Sequence, residues 1–96
     1  MKIIKLGRGK GKTYQLITKA AENNAYIVCR DRKEAERIFQ AAFDRGLDIN
    51  FPITFQEFTT KWYYGLGINE FMIDDVDILL EHLSGVPISY CTFTPK

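Results

Sequence analysis

Apolar residues fall in short blocks separated by polar and glycine-containing stretches, and two kinds of spacing alternate along the chain. KIIKL at 2–6, AYIVC at 25–29, FPITF at 51–55, EFMI at 70–73 and ISYCTF at 88–93 are brief and rich in β-branched and aromatic side chains, which predicts five strands. Between them the apolar positions step by three and four. Leu16, Ile17, Ala20 and Ala21 predict one helix, stopped by Asn23 and Asn24. Ala35, Ile38, Phe39, Ala42 and Phe43 predict a second, with Asp31 and Glu34 spaced as a capping box at its start and Gly46 at its end. Residues 56–64 predict a short third helix using Phe55, Phe58 and Trp62, closed by Gly65 and Gly67. Ile78, Leu79, Leu80 and Leu83 predict a fourth, ended by Ser84 and Gly85.

Strands alternating with helices predict a parallel sheet covered on both faces, with a site at the C-terminal ends of the strands. No repeat, linker or low-complexity stretch interrupts the order, so residues 1–96 are expected to form one domain around one core. Hydrophobic residues make up 46% and charged residues 26%, the balance of a globular protein. A net charge of +1 gives no bulk attraction for a polyanion, so nucleic-acid binding would need a local patch. No apolar run is long enough to span a membrane and no signal peptide opens the chain, which predicts a cytoplasmic protein without a membrane partner. Cys29 and Cys91 each sit in a strand-like segment, lack ligand-spaced neighbours and are expected to be buried, reduced thiols.

The sharpest motif is GRGKGKT at 7–13, between a predicted strand and a predicted helix. Gly7, Gly9 and Gly11 let backbone amides approach an anion without a Cβ in the way, and the helix behind them adds its N–H groups and positive dipole end. With Arg8 and Lys10 they form a nucleotide-binding loop in which Lys12 reaches the β and γ phosphates and Thr13 offers its hydroxyl to Mg²⁺. Against the pattern GxxxxGK[ST], Leu6 stands where the first glycine belongs. The second motif is FMIDDVD, a strand ending in adjacent carboxylates. Asp74 is placed to hold the metal and Asp75 to polarise the attacking water, while the bland alternative is that either one caps the next helix.

GRGKGKT, FMIDDVD and the five-strand order resemble the additional-strand P-loop ATPases, the group that holds helicases, terminases and replication initiators. The chain looks like a minimal, single-domain form of that core, of the kind phages or mobile elements encode, which would place it in a host cytoplasm. The resemblance implies a three-layer α/β/α fold with a five-stranded parallel sheet in the order 5-1-4-3-2. It implies hydrolysis of ATP, or of GTP, with Mg²⁺. It also implies a polar catalytic sensor near the end of the fifth strand, where Thr92 is the first candidate and Thr94 the second. Asp75 stands where most members place Glu, and the chain stops where relatives keep a lid or an arginine finger. An arginine from a homo-oligomer or a larger protein partner would then complete the site, with Arg8, Arg30, Arg32 and Arg45 as candidates in this chain.

Two other readings stay open: a catalytically weak module that regulates or inhibits a partner through protein contacts, and a subunit of a DNA-handling assembly. Lys61, Trp62, Tyr63 and Tyr64 combine a cation with stacking aromatics, which suits single-stranded nucleic acid, although aromatics also cover sheets. His82 stands alone and suggests neither a base nor a ligand.

Overall fold

The computed structural model describes residues 12–61, 65, 67, 68, 70–90 and 92, with Lys12 described by its backbone alone. Four helices and three strands alternate in the order α1 (Lys12–Asn23), β1 (Tyr26–Cys29), α2 (Arg32–Asp44), β2 (Ile53–Thr54), α3 (Phe55–Thr59), β3 (Phe71–Ile73) and α4 (Val76–Ser84).

The central strand is β1, the one described strand that is buried toward both faces. Ile27 and Cys29 point into one cluster with Ile17 and Ala20 of α1 and Ala35, Ile38 and Ala42 of α2. Val28 points the other way, to Phe55 of α3 and Leu79 of α4. Both neighbours pair with β1 in parallel, Val28 opposite Ile53 on one side and Val28 opposite Ile73 on the other. That register keeps the faces consistent: Met72, opposite Ile27, packs with the first cluster, while Phe71 and Ile73 pack with the second. Helices therefore cover both faces of a parallel sheet, as the strand and helix alternation predicts.

The five-stranded sheet in the order 5-1-4-3-2 is not what forms: among the described residues the sheet has three strands, in the order β2-β1-β3. The segment expected at one edge, AYIVC, stands in the middle, and FPITF, expected in the middle, lies at an edge. Two residues explain this exchange. Pro52 lacks the N–H that a central strand must donate, and Thr54, opposite Cys29 as the last residue of β2, gives its N–H to Glu57 and caps α3, so that β2 is only two residues long. Residues 88–90 and Thr92 of the fifth expected strand belong to no strand. The first expected strand, Lys2–Leu6, lies outside the described residues.

Local capping chemistry fixes the helix ends. The box expected at Asp31 and Glu34 is only half made: Asp31 Oδ1 accepts the Glu34 N–H at 2.9 Å, while the Glu34 carboxylate pairs with Arg37 and Arg30. The complete box is at α3, where Thr54 Oγ1 accepts the Glu57 N–H at 3.1 Å and Glu57 Oε1 accepts the Thr54 N–H at 3.0 Å. Asn24 turns left-handed (φ 53°) after α1 and Gly46 (φ 69°) does so after α2, the stops their residue types favour. The third helix ends at Thr59, short of the expected residue 64.

The buried stripe of α2 is narrower than its sequence pattern. Ala35, Ile38 and Ala42 are buried, whereas Phe43 is 71% exposed and Phe39 stacks on Phe51 with ring centroids 5.3 Å apart at the surface. The two alanines bring the helix close to the sheet and leave the phenylalanines outside. Accordingly, Phe55→Ala should cost about 3–5 kcal/mol through the cavity it leaves, and Phe43→Ala should stay within about 0.5 kcal/mol of the parent. Urea unfolding monitored by circular dichroism distinguishes the two.

Candidate functional site

The two crossovers give the C-terminal edge of the sheet its shape. From β1 the chain leaves along α2 on one face to reach β2, and from β2 it leaves along α3 on the other face to reach β3 on the far side of β1. Reversing direction while changing face keeps the hand of both crossovers the same. The cost is that adjacent strand ends diverge, β1 toward one face and β2 and β3 toward the other, which opens the edge around Arg30.

On the β3 side, Asp74 extends the ladder by one hydrogen bond, its N–H donating to the Val28 carbonyl at 2.9 Å. Its residue is 5% exposed, the one charged residue in the buried set of the described residues. Asp75 follows at the first position beyond the sheet, in a left-handed conformation (φ 58°, ψ 59°) and at the N-cap of α4. The bland reading of this pair is answered in part: Asp75 occupies the cap position, but its side chain makes no capping hydrogen bond. A left-handed conformation is uncommon for a residue with a Cβ, though aspartate adopts it more readily than most. The carboxylates thus differ in environment, one held in the sheet and one at its rim.

Beside Asp74 on the central strand is Cys29, 1% exposed, with its Sγ 3.6 Å from the Asp31 carbonyl. Burial first, and then the negative charges of Glu34, Asp31 and Asp74, push its thiol up to about 12. Cys29 is therefore the buried, reduced thiol expected; Cys91 lies outside the described residues. The Arg37 guanidinium is pushed upward too, first by its hydrogen bond to Glu34 and then by the attraction of Glu34, with Asp74 and Tyr14 adding smaller shares.

Of the residues predicted to hold a nucleotide, Gly7, Arg8, Gly9, Lys10 and Gly11 lie outside the described residues. Lys12 is the first residue of α1, and Thr13, half-buried, is the second. Tyr14 carries the Arg45 guanidinium 3.6 Å above its ring centroid, which engages Arg45 beyond the far end of α2. Thr92 is exposed and belongs to no element; Thr94, Trp62, Tyr63 and Tyr64 lie outside the described residues.

On the β2 side the edge opens into a groove of about 350 Å³ lined by Arg30, Asp31, Arg32, Thr54, Gln56, Glu57 and His82. Sequence reasoning passes over His82, whose ring centroid is 5.9 Å from that of Phe55. The signal that could have found this groove is T-x-x-E at 54–57, which ends the strand early and turns Gln56 and Glu57 toward the edge. Among the described residues no helix is long and apolar enough to cross a membrane, and no three His, Cys, Asp or Glu residues form a metal-holding group.

The Cys29 thiol gives this edge a measurable signature. An unfolded thiol ionises near its ordinary value of 9.0 and the folded one near 12, so between these pH values the unfolded state binds fewer protons. The Cys29 contribution is fully present below pH 9 and is lost above it, by up to about 1.4 kcal/mol per pH unit. Urea unfolding from pH 8 to 11 should show a shallower decline for Cys29→Ala than for the parent; equal slopes would refute the buried thiol. No family model, curated protein or solved structure matches the chain, so the reading of this edge rests on its own chemistry.

Proposed function

We propose that the chain binds the phosphates of a nucleoside triphosphate, with ATP ahead of GTP, and hydrolyses it with Mg²⁺. The observation that carries this reading is that Lys12 and Thr13 lie on a helix, α1, and that the glycines at 7, 9 and 11 precede them directly in sequence, the order a phosphate-binding loop uses. Supporting it are the adjacent carboxylates at the C-terminal end of β3. In this reading the Lys12 ammonium neutralises the β and γ phosphates. Thr13 and Asp74 offer the hard oxygen donors that Mg²⁺ prefers, and the ion would supply charge neutralisation at the γ phosphate. Asp75, at the rim, orients the attacking water. Thr92, exposed and outside any strand, is the weakest member of the set. A neighbouring copy or a larger partner would add an arginine, and the location would be the cytoplasm of a cell or of a phage host.

A second reading, a module that regulates a partner by contact with little or no turnover, draws on α4 and the segment after it. Val76, Leu83, Val86 and Tyr90 are exposed there, with Tyr90 at 94%. A helix apolar on its outer as well as its inner side is suited to contact with another protein.

Calorimetry with ATP and Mg²⁺ separates these from an unrelated small domain. Lys12→Ala should weaken binding by about tenfold or more, the worth of one charge-assisted contact, without changing the unfolding transition. Equal ATP affinity in the parent and Lys12→Ala would remove the site. Phosphate release that falls in Asp75→Ala supports hydrolysis, whereas binding with release at background supports the contact reading.

A further inference from the structure

The groove between the ends of β1 and β2 is unused by the glycine run and the paired aspartates, yet its charges are arranged unevenly. Its two acids are committed to backbone: Asp31 Oδ1 accepts the Glu34 N–H, and Glu57 Oε1 accepts the Thr54 N–H. Its arginines are held more loosely. Arg30 lies 3.7 Å from Asp31 and 3.8 Å from Glu34, with half its side chain exposed, and Arg32 lies 3.4 Å from Glu36. Exposed ion pairs of such length contribute little, about 0–1 kcal/mol, so a better partner displaces them. A phosphate offers a guanidinium two parallel hydrogen bonds and up to two charges, which neither carboxylate does at these distances.

We infer that this groove is a second anion subsite, in which Arg30 grips a phosphate-type group while Thr54 and Gln56 offer polar contacts and His82 forms the opposite wall. Arg30 is singled out by position. It follows Cys29 directly on the central strand, at the divergence of the strand ends, whereas Arg32 is drawn away over the Phe51 ring at 5.0 Å and Arg45 is engaged with Tyr14. A cation is the poorer occupant, because one carboxylate oxygen of each groove acid already closes the cap of α2 or α3 and the second Asp31 oxygen faces Arg30. The phosphate has two sources: the end of a nucleotide seated on the glycine run, or a free phosphate or phosphorylated small molecule. Only the first rests on the proposed function.

His82 is the one histidine of the chain, so its ring signals report on this wall without overlap. Proton NMR at constant pH, with inorganic phosphate, pyrophosphate or ATP added to the full chain, should move the His82 ring resonances saturably. Arg30→Ala should abolish the movement or raise the half-saturation about tenfold, and Lys19→Ala, at an exposed position of α1 outside the groove, should leave it unchanged. Retention of the unfolding transition by Arg30→Ala shows that the loss is one of contact. Movement by phosphate that persists in Lys12→Ala identifies a free phosphate as occupant. Movement by ATP alone, lost in Lys12→Ala, identifies the nucleotide's own phosphate. If none of the three anions moves His82, or if Arg30→Ala responds as the parent does, the subsite is refuted, and ATP binding by calorimetry stands or falls separately.

Discussion

The arrangement depends on the burial of β1 from both sides. A strand of four residues cannot alternate apolar with polar when helices cover each face, and YIVC does not: Ile27 and Cys29 fill one core and Val28 the other. Burial also removes water as a partner for its backbone, so both edges of β1 must be paired. Ile53–Thr54 and Phe71–Ile73 meet that demand in parallel, and parallel pairing requires helical crossovers. Because the two crossovers run to opposite sides of β1, a common hand places them on opposite faces. The divergence of strand ends around Arg30, where the candidate chemistry collects, is therefore a consequence of one strand being dry.

The same constraint makes unlike groups of neighbours alike in type. Asp74 takes its place from the ladder, since its N–H satisfies the Val28 carbonyl, and the sheet carries its carboxyl into a nearly closed environment. Asp75 is left-handed at the N-cap, its carbonyl accepting from the Ile78 and Leu79 N–H groups, and α4 starts at Val76 and lays Leu79 on the second core. Glu34 shows a related division. Its N–H is used by the Asp31 cap and its carboxylate by Arg37 and Arg30, so one residue ties the start of α2 to the rim of the sheet.

The elements themselves were legible because their signals are local. Periodicity located all four helices and the three described strands, and Asn24 and Gly46 stop helices for reasons visible in the residue. Strand order was not legible, since it turns on which segment is buried from both sides, and FPITF and AYIVC look equally apolar until Pro52 is read as a missing donor and Thr54 as a helix cap. Asp31 with Glu34 three residues later reads as a capping box before a long helix; the spacing T-x-x-E at 54 carries the same information before a short one. Of the candidate site, the carboxylate pair was legible as a strand end, while Arg30 and His82 were not. They reach the groove through the meeting of elements far apart in sequence, which no window of residues contains.

A phosphate cradle asks less of a fold than the family resemblance implied. What it requires is a run of residues without side-chain obstruction that feeds a helix, and oxygen ligands within reach for the counter-ion. Neither requirement names a strand order. Among the described residues, the three-stranded sheet with β1 at its centre overturns the inference from resemblance to architecture, but it leaves the chemical argument for Lys12 and Thr13 on the terms it began with: glycines at 7, 9 and 11 in the sequence directly before residues that lie on a helix. Fold and function are separable claims here because they rest on different residues. Pro52, Thr54 and the apolar faces of β1 decide the first, and the polar ends of α1 and β3 bear on the second.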